Sequence, residues 1–431
     1  MSHYKPYPAY KDSGVEWLGQ VPEHWGIQRI KSLIDSAQNG IWGDDPDGGA
    51  DDIPCARVAD FDRNSFTVKG ELPTLRKVPE AQRLPRQVNS GDLLIEKSGG
   101  GEQTTVGVVV QYQGAEPVIC SNFVAVVKPK QGVFARWLCY TNAHLYSVGV
   151  NVRSIKQTTG IQNIDSDQYF SERVAVPPER ERQIISAHLD RETARIDALV
   201  AKKTRFIELL REKRQALITH AVTKGLDPNV KMKDSGVEWL GEVPEHWLVT
   251  TVSRLFEIKA GGDLKEEFFS DSQDEKHCYP IYTNSIRSGA VYGYTCKSFY
   301  LPNSITVTGR GEIGYATYRD HPYDAIIRLL VLTPKSRAYC KYSAYFINAV
   351  LDFHGGNTAV SQLSAEQIAP YPLISPPEVE QLELCDFLDQ ETSRIDVLIG
   401  KTERSIELLK ERRSALITAA VTGQIDLREA V

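Results

Sequence analysis

Two stretches of the chain carry one hydrophobic pattern. From Pro178 to Thr223 no glycine and no further proline interrupts the sequence. Apolar residues recur there in steps of four and three, at Ile185, Leu189, Ile196, Leu199, Phe206, Leu210 and Leu217. Glu192, Lys203, Lys213 and His220 fill the remaining places of the series. The second stretch repeats it with Leu384, Leu388, Ile395, Leu398, Leu409 and Leu416. This spacing belongs to helices that pack lengthwise against another helix. Each stretch opens with Pro-Pro-Glu, and proline and acidic residues both suit a helix start. At ~1.5 Å per residue the first helix spans roughly 69 Å, far beyond the length of an average helix.

The pattern recurs because the sequence does. Residues 177–227 and 376–426 are identical at 28 of 51 positions, at an offset of 199. A shorter block is copied more closely: KDSGVEWLGQVPEHW at 11–25 returns as KDSGVEWLGEVPEHW at 233–247, at an offset of 222. The intervening regions share little beyond a β-like run meeting a glycine turn, LLIEKSGGG at 93–101 and SITVTGRGE at 304–312. The chain divides into a short block (1–25), an insert (26–176), a long helix (177–224), a linker with the second short block (225–247), a second insert (248–375), a second long helix (376–423) and a tail (424–431). A duplicated frame with unlike inserts has one job done twice and two jobs done once.

The helices carry opposite charge. Residues 178–223 hold ten Lys/Arg against seven Asp/Glu, and residues 377–422 hold six against ten. This makes them plausible partners for each other. An insert lies between them, so a tight hairpin is excluded and an antiparallel pair with pseudo-twofold repeats is the economical arrangement. Pairing of each helix with its own copy in a second chain is the competing arrangement. The expected fold is therefore α+β: two globular α/β domains joined by two long helices in an antiparallel coiled coil.

Composition narrows the class. With 41% hydrophobic and 25% charged residues, the chain reads as globular. No apolar run reaches membrane-spanning length and no secretory signal opens the sequence. The seven cysteines include no C-x-x-C pair, so a disulfide framework and a zinc finger are not expected, and a reducing cytoplasm is. Catalytic signatures are missing as well. Gly309–Gly314 fits G-x-G-x-x-G, but an aromatic, β-prone segment follows where a dinucleotide site needs a helix. A turn between two strands is the expectation there. No Walker loop, zinc-protease motif or nucleophile elbow occurs. Trp17 and Trp239 belong to the duplicated block, so they serve the frame, either by packing on a helix end or by contacting a partner.

These blocks carry a family resemblance. K-D-S-G-V-E-W-L-G-x-V-P-E-H-W at the head of each half, with P-P-x-x-E, then E-T-x-R-I-D, then A-L-I-T-x-A-V-T at its close, resembles the specificity subunit of type I restriction-modification enzymes over essentially the whole chain. The resemblance implies that each insert is a target-recognition domain reading one half of a bipartite site in double-stranded DNA, and that the helices set the spacer. It implies partners too: two modification subunits that use S-adenosylmethionine, and restriction subunits that use ATP and magnesium. No cofactor is expected on this chain, which would be a non-catalytic recognition part.

Neither insert is basic overall: residues 26–175 hold 16 Lys/Arg and 17 Asp/Glu, residues 248–373 twelve of each. DNA contacts must therefore come from local clusters. The glycine turns offer Lys97, Ser98, Gly99 and Gly101 in the first insert, and Arg310 and Gly311 in the second, where backbone N–H groups can approach a phosphate beside a cation. Arg57 and Arg63, and Asn284, Ser285 and Arg287, follow β-like runs. Arg153, Lys156 and Gln157, and Asn357, Thr358 and Gln362, precede the helices. Arginine, asparagine and glutamine are the side chains that read guanine and adenine edges. Two other classes compete: a coiled-coil scaffold with domains that bind something other than DNA, and a nucleotide-dependent enzyme at Gly309–Gly314.

Overall fold

The structure, a computed structural model, describes residues 4–100, 104–158, 160–286, 290–335, 339–353 and 362–429. The chain forms two compact units. Unit 1 takes Met1–Thr204 with Arg404–Val431, and unit 2 takes Arg205–Glu403. The two long helices, α1 (Glu179–Lys224) and α2 (Glu378–Val421), each belong to unit 1 over part of their length and to unit 2 over the rest.

Within each unit the helices run antiparallel. In unit 2, Arg211 bonds Glu403 at 3.2 Å and Arg214 bonds Asp396 at 3.1 Å, so numbers rising along α1 meet numbers falling along α2. In unit 1, Ile185 and Leu189 share a core with Leu416–Val421, and Asp197 meets Arg413 at 3.0 Å. Net charge is not what selects these pairs. Arg214 and Arg413 are repeat equivalents, as are Asp197 and Asp396, each at the offset of 199. The same ion pair is written twice, with the cation on α1 in one unit and on α2 in the other. The Arg211–Glu403 and Arg214–Asp396 pairs are exposed and contribute only ~0–1 kcal/mol each, while Arg413 is largely covered beside Asp197; the apolar seam carries the rest of the packing.

That seam differs from the expected one at three of its thirteen positions. Ile185, Leu189, Ile196 and Leu210 are buried on α1, and Leu384, Leu388, Ile395 and Leu416 on α2, while Leu217 and Leu409 are half-buried. Leu199, Phe206 and Leu398, also assigned to the seam, are 40%, 45% and 46% exposed. Their neighbours face inward instead: Ile207 is 6% exposed, and Val200, Ile399 and Ile406 are half-buried. The inward row Leu189, Thr193, Ile196, Val200, Lys203, Ile207, Leu210, Arg214, Leu217 keeps the four-three rhythm one residue away from the apolar decoys. It returns on α2 as Leu388, Thr392, Ile395, Ile399, Thr402, Ile406, Leu409, Arg413, Leu416. Thr193 and Thr392 tolerate burial because each hydroxyl donates to the carbonyl four residues back, at 2.6 Å.

The short blocks form matching hairpins, Tyr10–Asp12 with Gln20–Pro22 and Met232–Asp234 with Glu242–Pro244. Each ends on a fully buried tryptophan, Trp25 or Trp247. Trp17 packs on the core of unit 1 beside His144, ring centroids 5.8 Å apart, whereas Trp239 is exposed. The segment set apart as a tail is part of unit 1: Ile425 and Leu427 are buried, and the Asp426 N–H donates to the Lys5 carbonyl at 2.8 Å.

The inserts share a framework that their sequences conceal. The strands of unit 1 include β1 (Ile34–Asn39), β2 (Asp52–Ala56), β3 (Leu93–Glu96), β4 (Ser98–Gly99), β5 (Val109–Gln111), β6 (Ile119–Cys120), β7 (Val124–Pro129), β8 (Ile155–Thr158) and β9 (Ile161–Ile164). Those of unit 2 include β10 (Phe256–Ala260), β11 (Tyr279–Tyr282), β12 (Ser304–Val307), β13 (Ala316–Arg319), β14 (Asp324–Ala325) and β15 (Leu330–Pro334). The order β1-β7-β3-β5 matches β10-β15-β12-β13, every pair antiparallel. Beside it, β6 runs parallel to β2 as β14 does to β11. One close approach is common to both. A Cβ on Gly40 would lie 2.2 Å from the Cys120 carbonyl oxygen, and one on Gly261 would lie 2.4 Å from that of Ala325. Each glycine follows the first framework strand and lets β6 or β14 press against it.

Candidate nucleic-acid interface

The turn after the central strand gathers hydrogen-bonded polar side chains in each unit. In unit 1 the strand ends at Glu96, which is buried, and Arg63 Nη2 donates to its Oε2 at 3.1 Å. Burial pushes the Glu96 carboxyl above the usual carboxylate range, and Arg63 opposes that shift. Lys97 donates through Nζ to Asn39 Oδ1 at 2.8 Å, and its carbonyl accepts from the Ile164 N–H at 2.8 Å. Ser98 and Gly99 are not an open turn as expected. They form β4, paired with Asn163 and Gln162 of β9, which pairs in turn with Lys156 and Gln157 of β8. Ser98 Oγ donates to Asn163 Oδ1 at 2.5 Å.

The structure thus gathers Lys97, Ser98, Gly99, Lys156 and Gln157 onto one small sheet. Lys156 is exposed and pairs with Asp165 at 2.6 Å; Gln157 and Arg153 are exposed. Arg57 joins them across a cleft of about 520 Å³ walled by Trp42, Arg57, Glu96, Ser98, Asn122 and Phe123. The Arg57 backbone N–H and its Nε both point to Asp60 Oδ2, at 2.8 and 3.4 Å. Gly101 lies outside the described residues.

Unit 2 builds the same turn from other residues. Gly309 stands where Lys97 does: its carbonyl accepts from the Leu363 N–H at 2.8 Å. The next residue, Arg310, is exposed and donates from Nε and Nη2 to Gln362 Oε1 at 3.3 and 3.1 Å. Asn284 is a brace. Its Oδ1 accepts from the Gly309 and Arg310 N–H groups at 2.7 and 3.3 Å, while Nδ2 donates to the Ile327 carbonyl at 2.7 Å. Ser285 is half-buried, its N–H donating to the Thr283 carbonyl at 2.9 Å. Gly311 takes φ +70°, which a β-carbon would strain. The strands on either side of Gly309–Gly314 are antiparallel neighbours and no helix follows the glycines, so the strand-to-strand turn is what forms. Arg287, Asn357 and Thr358 lie outside the described residues.

Sequence reasoning missed Asn163, the residue that holds Ser98. A signal existed. The offset of 199 that relates the helices also relates Asn163 to Gln362, Ile164 to Leu363, and the helix N-caps Asp165 to Ser364, whose side chains accept from the N–H of Gln168 and Gln367. The duplicated frame starts fourteen residues before the Pro-Pro-Glu that marked it.

Among the described residues no group of three or more His, Cys, Asp and Glu side chains could hold a metal ion. None of their helices is long and apolar enough to cross a membrane.

Comparison with known proteins bears on this frame. Residues 244–408 match the model of the type I restriction modification DNA specificity domain. The putative type I specificity subunit S.MpnORF507P of Mycoplasma pneumoniae is 30% identical over 143 residues, 32% of this chain and 39% of that protein, so the chain spans about two fifths of that relative. The C-terminal part of a putative type I specificity subunit of the same organism, S.MpnORF289P, is 30% identical over 109 residues, 25% of this chain and 74% of that one. A solved chain, from a structure concerned with complex assembly and conformational transition of the type I R-M system, aligns with a TM-score of 0.74. The alignment covers 94% of this chain and 99% of that one at 13% identity, a likeness of fold alone.

Proposed function

The chain belongs to the type I restriction-modification specificity subunits, and from that premise we propose that each of its units reads one half of a bipartite site in double-stranded DNA. One observation carries the reading. A single strand framework occurs twice, braced at equivalent positions, with unlike side chains at the turn after its central strand: Ser98 with Asn163, and Arg310 with Gln362. A like frame presenting unlike hydrogen-bonding groups is what two different half-sites require. The continuous helices α1 and α2 then set the unread spacer. The chain recognises and positions, without catalysing. Two modification subunits carrying S-adenosylmethionine would methylate the site, and restriction subunits using ATP and magnesium would translocate and cleave, all in the cytoplasm. A scaffold whose domains bind something other than DNA is disfavoured by the family.

The test is to map methylated positions in a host expressing the chain with its modification subunits. A bipartite motif is expected, and exchange of residues 248–375 for another recognition domain should change one half of it. A change in both halves at once would refute the modular reading.

A further inference from the structure

The two turns occupy one slot, and their pairings say what each presents. The correspondence is fixed by backbone bonds: Lys97 O accepts from Ile164 N as Gly309 O accepts from Leu363 N, both at 2.8 Å. The N–H of Glu96 donates to Val108 O at 2.8 Å as that of Thr308 donates to Tyr315 O at 3.0 Å. One residue beyond the first bond lie Ser98 and Arg310. One residue before its donor lie Asn163 and Gln362. In both units these side chains bond each other, and in both the amide oxygen is the acceptor.

The consequence differs between units. In unit 1, Ser98 Oγ occupies Asn163 Oδ1, which fixes the amide plane and keeps one further acceptor lone pair beside the Nδ2 donors. In unit 2, Gln362 Oε1 takes Nε and Nη2 of Arg310, orienting the planar guanidinium while Nη1 and part of Nη2 keep their donors. The residues that follow, Gly99, Gly100 and Gly311, take φ +126°, +68° and +70° and add no side chain of their own beside either pair.

Resting on the recognition role above, we propose that this slot reads one base in each half-site: Arg310, held by Gln362, a guanine, and Asn163, held by Ser98, an adenine. Guanine offers two acceptors in the major groove and matches a donor fork. Adenine offers an acceptor and a donor and matches an amide. Arg310 and Asn163 are the reading residues, Gln362 and Ser98 the positioning residues.

The experiment uses the full chain in complex with its modification subunits. Methylation mapping first gives the wild-type motif; a wild-type complex that methylates no bipartite motif would refute the recognition role, a failure separate from this one. Purified complexes are then titrated against duplexes carrying each base at each motif position. Arg310→Ala should lose discrimination at one guanine, about ten- to hundredfold, with the other half-site unchanged. Asn163→Ala should do the same at one adenine in the other half. Gln362→Glu, which keeps the acceptor, should retain the preference that Gln362→Ala loses. Unchanged discrimination, or a uniform loss against all duplexes, would overturn the assignment, the latter marking a phosphate contact or a structural role.

Discussion

The two candidate seams of the long helices differ by about 2 kcal/mol at adjacent residues. Phe206 is the larger side chain, and the four-three count runs through it. The fold instead buries Ile207, at 6% exposure against 45% for Phe206. Truncating Ile207 to alanine removes three carbons, roughly 2.4 kcal/mol of transfer free energy at ~0.8 per methylene. Alanine's better helix propensity returns ~0.4, and the residual cavity adds to the loss, which leaves about 2–3 kcal/mol. For Phe206→Ala the ring already lies half in water and propensity offsets much of the rest, so a change within about 0.5 kcal/mol is expected. Thermal unfolding followed by far-ultraviolet circular dichroism and by calorimetry would separate the two. At ~2–4 °C per kcal/mol for a unit of this size, Ile207→Ala should lower Tm by roughly 4–12 °C and Phe206→Ala by less than about 2 °C. Equal losses, or a larger loss from Phe206→Ala, would refute the register and return the seam to Leu199 and Phe206.

Three further outcomes follow from the units. Gly40→Ala and Gly261→Ala each drive a methyl into a backbone carbonyl and should destabilise by about 1–3 kcal/mol, read as a drop in the urea midpoint; an unchanged midpoint would show that β6 and β14 are not pinned there. Burial holds the His144 imidazole down to about 4 against ~6.5 in the unfolded chain. Folding therefore favours the neutral ring, and up to about 3 kcal/mol present above pH 6.5 is lost as pH falls toward 4; His144→Gln should flatten that part of the pH profile, and an unaltered slope would refute it. Because Lys5 and Asp426 bond directly, joining the termini and reopening the chain within the exposed stretch 226–229 should leave the melting profile intact, whereas loss of cooperative unfolding would show that the connection at 225–231 is required.

The helices were legible because their pattern is written twice, and the error in their seam was correctable by the same means. Phe206 has Ser405 as its repeat equivalent, while Ile207 has Ile406. A seam position must suit the partner in both copies, and only the second of these does. Leu199 and Leu398 escape that filter because both are leucine, so a purely apolar count cannot separate them from Val200 and Ile399. The deciding factor is phase. Thr193 and Thr392 are buried seam residues that a hydrophobic count skips, since a threonine hydroxyl satisfied by its own helix costs little to bury. Once they are admitted, the four-three rhythm runs through Val200 and Ile207 without a break.

The inserts were opaque for a different reason. Their framework is specified by backbone pairing and by single tight spots such as Gly40 and Gly261, and backbone bonds constrain side-chain identity weakly. Cys55 opposes Ile119 and Ile281 opposes Asp324 in equivalent parallel pairs, so one geometry accepts unrelated residues. The turn residues were visible as polar side chains beside glycine, yet type alone could not separate readers from braces. Asn284 and Gln362 have the same chemistry and brace different things: the Asn284 amide is consumed by three bonds to backbone, whereas Gln362 spends its oxygen on the arginine it orients. Only a side chain with unspent donors or acceptors can choose among bases by hydrogen bonding, because discrimination comes from leaving the wrong partner's polar edge unpaired. The slot is therefore found by accounting for each amide's bonds, and in both units that accounting ends at the residue pair joining the central strand's turn to the stretch where the duplicated frame resumes.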